Sequence, residues 1–250
     1  MPMLDVYQGR PLANRRRWSD TVLMEPLLVL LPGLDGTKFL FEPMLREWGA
    51  ETVTVSYPRS LPSDYTTLLP AVLEALPQDR DFILLGWSFS GPLALMAAAT
   101  QPARLRGVVL CASFVEKPIA WVPKLARFFA WPALFRFTGS LSVAKTVLAG
   151  HGSKEINSLI KQAHSAVPSP VMAARVRQVL TVDVRKELLE CPVPILYLAA
   201  KSDRVVPRRN AARIRRMRPD VEVRTITGPH IALATNPAEA AAEIRRFAQR

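Results

Sequence analysis

Apolar and polar positions fall into two alternating patterns from residue 27 onward. Short apolar or alternating runs at 27–31, 52–56, 82–85, 108–111, 195–199 and 221–226 have the length and composition of buried strands. Between them, 42–48, 66–76, 89–100, 210–217 and 238–247 repeat apolar residues at helical spacing. Strands that alternate with helices pair in parallel, because a parallel connection needs a crossover long enough to hold a helix. The pattern therefore predicts an α/β chain with a mainly parallel sheet and helices on both faces. The segments 4–7 and 21–24 add a short antiparallel edge pair to this expectation.

The alternation breaks once. From 114 to 182 there is no strand pattern, only helical stretches interrupted by Pro118, Pro123, Pro132, Gly139, Gly150, Gly152, Pro168 and Pro170. An insertion between two strands of a parallel sheet leaves from a strand's carboxyl end, the edge at which such sheets bind ligands. Residues 114–182 are therefore expected to form an inserted helical cap, with 1–113 and 183–250 as the main domain. The cap is rich in aromatic residues, among them Phe114, Trp121 and Phe128. At helical spacing these mainly build a core face, yet part of the surface of a cap must face the cleft. Phe114, Trp121, Phe128 and Trp87 are the candidate pocket residues, and they suit an acyl chain or another apolar acid.

Composition narrows the picture further. Of 250 residues 49% are hydrophobic and 22% charged, which excludes a disordered chain and a simple coiled coil. The two cysteines, Cys111 and Cys191, cannot build a disulfide framework or a four-thiolate metal site, so a reducing compartment is expected. The first residues have no apolar segment of the secretory kind, and no uncharged apolar run reaches the roughly 18 residues of a membrane helix. A cytoplasmic protein without a membrane span is the expectation. The net charge of +12 comes from two segments. Residues 114–180 hold nine Lys or Arg against two acids, and 201–218 hold eight against one. Neither interleaves basic and aromatic residues as a nucleic-acid motif does, so no nucleic acid partner is expected. In the second segment Arg204, Arg208 and Arg209 should lie nearest the cleft, while Arg213, Arg215, Arg216 and Arg218 run down a helix away from it.

The chemistry begins at Gly86-Trp87-Ser88-Phe89-Ser90-Gly91, between the run Ile83-Leu84-Leu85 and a helix with Pro92 in its first turn. A strand, a sharp turn and a helix are the setting of a nucleophile elbow, in which the residues two before and two after the central serine must be small. Gly86 and Ser90 meet that need around Ser88. A serine hydroxyl needs a base, and the base needs a carboxylate to set its tautomer. Of the three histidines, His151 and His164 fall in the cap, whereas His230 follows the last strand and reaches the same sheet edge as Ser88. Asp203 follows the strand before it. Asp183 precedes that strand, and its expected role is to cap the segment before Leu188. Ser88, Asp203 and His230 are the candidate catalytic residues. The oxyanion of acyl transfer needs backbone N–H donors already aimed at it. Phe89 and Leu34, the latter in Pro32-Gly33-Leu34-Asp35-Gly36-Thr37, are the candidates, and Asp35 is expected to cap the next helix.

The blocks PGLDG, GWSFSG, KSDRVVP and GPH followed by NPAEAAAEIRRF resemble the α/β-hydrolase superfamily of serine esterases over roughly residues 25–250. The resemblance implies an α/β-hydrolase fold, hydrolysis through an acyl-enzyme, and no metal or other cofactor. The GWS elbow, the small cap and the size are similar to carboxylesterases that demethylate a pimeloyl ester held on acyl carrier protein. Two positions depart from the pattern: Pro32, where many relatives have histidine, and Ser90, where glycine is usual. Three functions follow: a serine carboxylesterase for small or medium acyl esters, an esterase or thioesterase whose acyl group arrives on an acidic carrier protein, and a binding protein without turnover. A dehalogenase is excluded because its carboxylate nucleophile would stand where Ser88 does.

Overall fold

The structure is a computed structural model, and it describes residues 26–118 and 153–250. Six strands form one sheet: β1 (Leu27–Leu31), β2 (Thr52–Thr54), β3 (Phe82–Trp87), β4 (Leu105–Cys111), β5 (Ile195–Ala200) and β6 (Glu222–Ile226). Every neighbouring pair is parallel, in the order β2-β1-β3-β4-β5-β6. The central strands are apolar throughout because both of their faces are covered. Along β1, Leu27, Val29 and Leu31 enter one core, and Leu28 and Leu30 enter the other. Along β3, Phe82 and Leu84 alternate in the same way with Ile83, Leu85 and Trp87. Edge strand β6 is half-buried or, at Thr225, exposed until Ile226, which explains its polar sequence.

Three helices follow the first three strands: α1 (Glu42–Trp48), after a 3-10 turn at Phe39–Phe41, α2 (Tyr65–Glu74) and α3 (Ser90–Ala99). Asp64 starts α2 as its N-cap, accepting from the Thr67 amide at 2.8 Å. Between β4 and β5 the described chain carries α4 (Lys154–Ser165), α5 (Ser169–Thr181) and α6 (Arg185–Glu190). After β5 come α7 (Arg209–Met217), α8 (Ala232–Thr235) and α9 (Pro237–Ala248). One core takes in α2, α3 and Ile214 of α7; the other takes in α1, α4, α8 and α9. The expected edge pair at 4–7 and 21–24 lies outside the described residues, as does much of the interval expected to form the cap.

Two strands differ from the sequence reading in a way that matters for the site. β3 continues through Gly86 and Trp87, which pair with Leu110 and Cys111, so the strand runs to the residue before Ser88. β2 ends at Thr54 because an edge strand has only one neighbour, although the Val55 amide still reaches the Leu30 carbonyl at 3.0 Å. The strand order also reverses between β1 and β3. The helix after β1 leaves to one face and the helix after β3 to the other, which opens a crevice at the carboxyl ends of these strands.

Candidate active site

Ser88 stands where β3 ends and α3 begins, with φ 51°. For a residue with a side chain this left-handed conformation costs about 1–3 kcal/mol, so the surroundings must enforce it. Four hydrogen bonds do so. The Ser88 amide donates to the Cys111 carbonyl at 2.9 Å. The Ser88 carbonyl accepts from Ser113 Oγ at 2.6 Å and from the Gly91 amide at 3.2 Å. The next carbonyl, that of Phe89, accepts from Tyr65 Oη at 2.9 Å. Small residues make the crossing possible: a Cβ on Gly86 would overlap the Ser90 carbonyl, and one on Gly91 would overlap Ser113 Oγ.

His230 Nε2 lies 2.8 Å from Ser88 Oγ, and His230 Nδ1 lies 2.8 Å from Asp203 Oδ2. A carboxylate only accepts, so Nδ1 carries the hydrogen and Nε2 presents its lone pair to the serine hydroxyl. The other carboxylate oxygen, Oδ1, accepts from the amides of Val205 and Val206 at 2.7 and 2.8 Å. Both side chains are almost wholly enclosed, 4% exposed for His230 and 2% for Asp203. Their loops are tied together: Lys201 donates to Ile226 and Ser202 to Gly228, each at 2.9 Å. Gly228 has φ 126°, which favours glycine, and a Cβ there would press on Asn236 and Thr235. Trp87 holds the histidine's backbone through its indole N–H, 3.4 Å from the His230 carbonyl.

The loop after β1 faces the elbow across the crevice. Its carbonyls are taken by the protein behind it: Pro32 by Ser90 Oγ, Gly33 by the Gly36 amide at 3.0 Å, Leu34 by Arg175 at 2.9 Å and Gly36 by the Tyr57 amide at 2.9 Å. The amides of Leu34 and Phe89 donate to no acceptor among the described residues. The two departures from the usual pattern thus touch each other. Ser90, which also bonds Tyr57 Oη at 2.6 Å, secures the carbonyl of Pro32. Asp35 does not cap the next helix. Its carboxylate turns onto Thr37, accepting from the amide at 3.0 Å and from the hydroxyl, and the 3-10 turn intervenes before α1. Burial pushes the Asp35 carboxyl above its ordinary range, against the opposing pull of Thr37 and Arg175.

Among the pocket candidates, Trp87 is 4% exposed and enclosed by Gly33, Phe41 and His230. Phe114 is buried just beyond β4, and Trp121, Phe128 and His151 lie outside the described residues. His164 sits in the last turn of α4. Val184 holds the N-cap position of α6, but Asp183 still caps the segment as expected: its carboxylate accepts from the Arg185 amide at 3.3 Å and pairs with the Arg185 side chain at 2.6 Å. The basic segments need correction too. Arg218 does not run down the helix but follows its last residue, where it donates to the carbonyls of Leu188, Cys191 and Val193 and pairs with Asp220. Arg213 pairs with Glu116 at 3.5 Å. Arg204, Arg208, Arg209, Arg215 and Arg216 are exposed. No described helix is long and apolar enough to cross a membrane. No group of three or more His, Cys, Asp or Glu among the described residues could hold a metal ion.

Sequence reasoning missed Tyr57, Tyr65, Ser113 and Arg175, none of which lies in a motif. Their roles come from loops brought together by the sheet. The geometry suits acyl transfer through a serine, and known proteins resemble this chain over most of its length. The profile of the Alpha/beta hydrolase family matches residues 28–244. A biotin biosynthesis bifunctional protein, BioHC, from Cellvibrio japonicus is 29% identical over 82% of this chain, which spans 44% of that protein's length. A pimeloyl-[acyl-carrier protein] methyl ester esterase from Xylella fastidiosa is 28% identical over 81% of this chain and 87% of its own. A solved lipase-esterase related protein from Clostridium acetobutylicum superposes with a TM-score of 0.77 at 14% identity, over 98% of this chain and all of that one, which shows the fold. With its reversed parallel sheet, left-handed elbow and family match over most of its length, the chain belongs to the alpha/beta hydrolase family.

Proposed function

We propose that this hydrolase is a serine carboxylesterase that removes the methyl group from an acyl ester delivered on an acidic acyl carrier protein, the pimeloyl thioester being the substrate class suggested by its relatives. The observation that carries the reaction type is the unbroken hydrogen-bonded series from Ser88 Oγ through His230 to Asp203 on a strained elbow. Ser88 Oγ attacks the ester carbonyl and gives its proton to His230 Nε2. The electron pair displaced onto the carbonyl oxygen is met by the amides of Leu34 and Phe89. Collapse expels methanol, which takes the proton from His230, and leaves an acyl-enzyme. Water, deprotonated by His230, then releases the acid and restores Ser88. A non-catalytic binding protein would have no use for a left-handed serine enclosed with its base and acid.

Residues 114–182 serve in this reading as the cap over Ser88, with 1–113 and 183–250 as the catalytic domain. Its apolar side chains hold the acyl chain. The two free, buried cysteines suit a cytoplasmic setting. The carrier is favoured over a free small ester by the names of the relatives and by the exposed Arg204, Arg208 and Arg209 that follow Asp203 along the chain.

Ester hydrolysis by Ser88→Ala and Ser90→Ala tests the reading. Ser88→Ala is expected to lose at least about 10³-fold in kcat while staying folded. Ser90→Ala is expected to keep far more activity than Ser88→Ala and lose about 1–3 kcal/mol of stability, because the Pro32 carbonyl and Tyr57 hydroxyl lose a buried partner. The reverse ranking of activities would defeat the assignment of Ser88.

A further inference from the structure

Arg175 stands on α5, within the segment inserted between β4 and β5, and it is completely buried. A guanidinium removed from water is costly unless each donor is satisfied. It forms no salt bridge among the described residues, and burial lowers its affinity for its proton against the weaker opposing pull of Tyr57 and Asp35. What it has instead is one oxygen for each nitrogen. Nε donates to Ser63 Oγ, Nη1 to the Leu34 carbonyl and Nη2 to the Pro58 carbonyl, each at 2.9 Å. Its guanidinium also lies over the Tyr57 ring, 5.5 Å from the centroid. A Cβ on Gly36 would come within 2.5 Å of Nη1, so the guanidinium rests directly against the backbone of the loop after β1.

That loop is the one whose Leu34 amide lacks an internal acceptor. In a trans peptide the C=O and N–H point in opposite directions, so a bond to a carbonyl sets where the amide of the same unit points. The unit ending in the Leu34 amide is held at the Gly33 carbonyl by Gly36. The unit before it is held at the Pro32 carbonyl by Ser90, and the unit after it at the Leu34 carbonyl by Arg175. Arg175 is the only one of these three tethers that comes from outside the first three strands and their connections. We infer that Arg175 is a positioning residue for the oxyanion hole: through the Leu34 carbonyl it clamps the loop after β1, so that seating of the inserted segment and alignment of the Leu34 amide are one event. The inference rests on the assignment of Ser88 as nucleophile and of the Leu34 amide as an oxyanion donor.

The test uses the full chain, a small acyl methyl ester and a trifluoromethyl ketone bearing the same acyl group. The ketone is attacked by Ser88 Oγ; the new C–O bond forms as the carbonyl electron pair moves to oxygen and the proton passes to His230, giving an oxyanion that resembles the transition state. Arg175→Met is expected to lower kcat about 10- to 100-fold with KM within about twofold, since a modest misplacement near the reacting centre can cost 10²-fold. Inhibition by the ketone is expected to weaken by the same factor as kcat/KM. Arg175→Lys keeps the buried charge, cannot reach three acceptors, and is expected to show the same proportionality with a smaller loss. A purely structural arginine would alter the folded fraction and the melting temperature alone. Ketone affinity unchanged in the folded fraction of both variants, or a loss in KM rather than kcat, overturns the inference. Ser88→Ala measured alongside keeps the two readings apart. Retained hydrolysis in Ser88→Ala defeats the serine assignment, whereas an inactive Ser88→Ala with unaffected Arg175 variants defeats the clamp alone.

Discussion

Asp203 illustrates how much a single side chain can be constrained. Its Oδ1 is held by the Val205 and Val206 amides, which only an oxygen can satisfy. In Asp203→Asn the amide oxygen must stay there, so the NH₂ group faces His230 Nδ1. The imidazole then places its hydrogen on Nε2, where it can no longer accept from Ser88. Hydrolysis is expected to fall about 10⁴-fold with the fold intact, the size of the same wrong-tautomer change in triad proteases, and steady-state kinetics beside a thermal melt would check it. Asp35 behaves differently, because burial raises its carboxyl pKa. A carboxyl raised on folding contributes stability below its unfolded value and loses it as pH rises through the folded one, so at neutral pH the buried charge opposes folding. Asp35→Asn retains an oxygen for Thr37 without the charge. It is expected to be more stable than the wild type at pH 8, with the advantage gone at pH 3; urea unfolding at both pH values measures the difference.

The passage from β3 to α3 works because helix and strand touch without side chains between them. α3 is buried on nearly every side, with Leu93, Ala94, Leu95, Ala97 and Ala98 all in one core. At Gly91 the helix meets Ser113, the residue whose hydroxyl holds the Ser88 carbonyl. A methyl group there must displace that hydroxyl. Gly91→Ala is expected to lose about 3 kcal/mol, at the upper end of overpacking, and to lose activity through the disturbed elbow. Because the clash is with one side chain, Gly91→Ala combined with Ser113→Gly is expected to exceed the sum of the single stabilities by about 1 kcal/mol or more in chemical denaturation. Strictly additive losses would show that α3 is held elsewhere.

Over the whole molecule the net charge of +12 is less free than the sequence suggests. Arg175 is buried, Arg218 is spent on carbonyls and Asp220, and Arg213 faces Glu116. Arg204, Arg208 and Arg209 stay exposed in the segment that follows Asp203. If this group receives an acidic carrier, kcat/KM for a carrier-bound ester should fall steeply with salt, as the Debye length shrinks from about 10 Å at 0.1 M to about 3 Å at 1 M. A neutral small ester should show almost no salt dependence. Triple replacement of the three arginines by alanine is expected to reduce the carrier-bound rate at low salt and leave the small ester unchanged. Equal salt dependence for the two substrates would remove the carrier from the proposed function.

The alternation of apolar runs with helical periods was enough for the layered parallel sheet, because strands covered on both faces carry that pattern locally. That Ser88, Asp203 and His230 meet was legible for a related reason: each follows a strand, and the carboxyl ends of parallel strands share one edge. The limits of this reading are equally physical. Asp35 looks like a helix cap in sequence, but the side-chain bonds that decide the matter depend on where the turns fall. The link from Ser90 to Pro32, the Ser113 and Tyr65 bonds behind the elbow and the enclosure of Arg175 join residues 24 to 141 positions apart. A linear pattern carries the burial of each residue's own element. It does not carry which carbonyl from another loop will meet a hydroxyl or a guanidinium, because strand order and loop geometry set that only when the sheet is assembled.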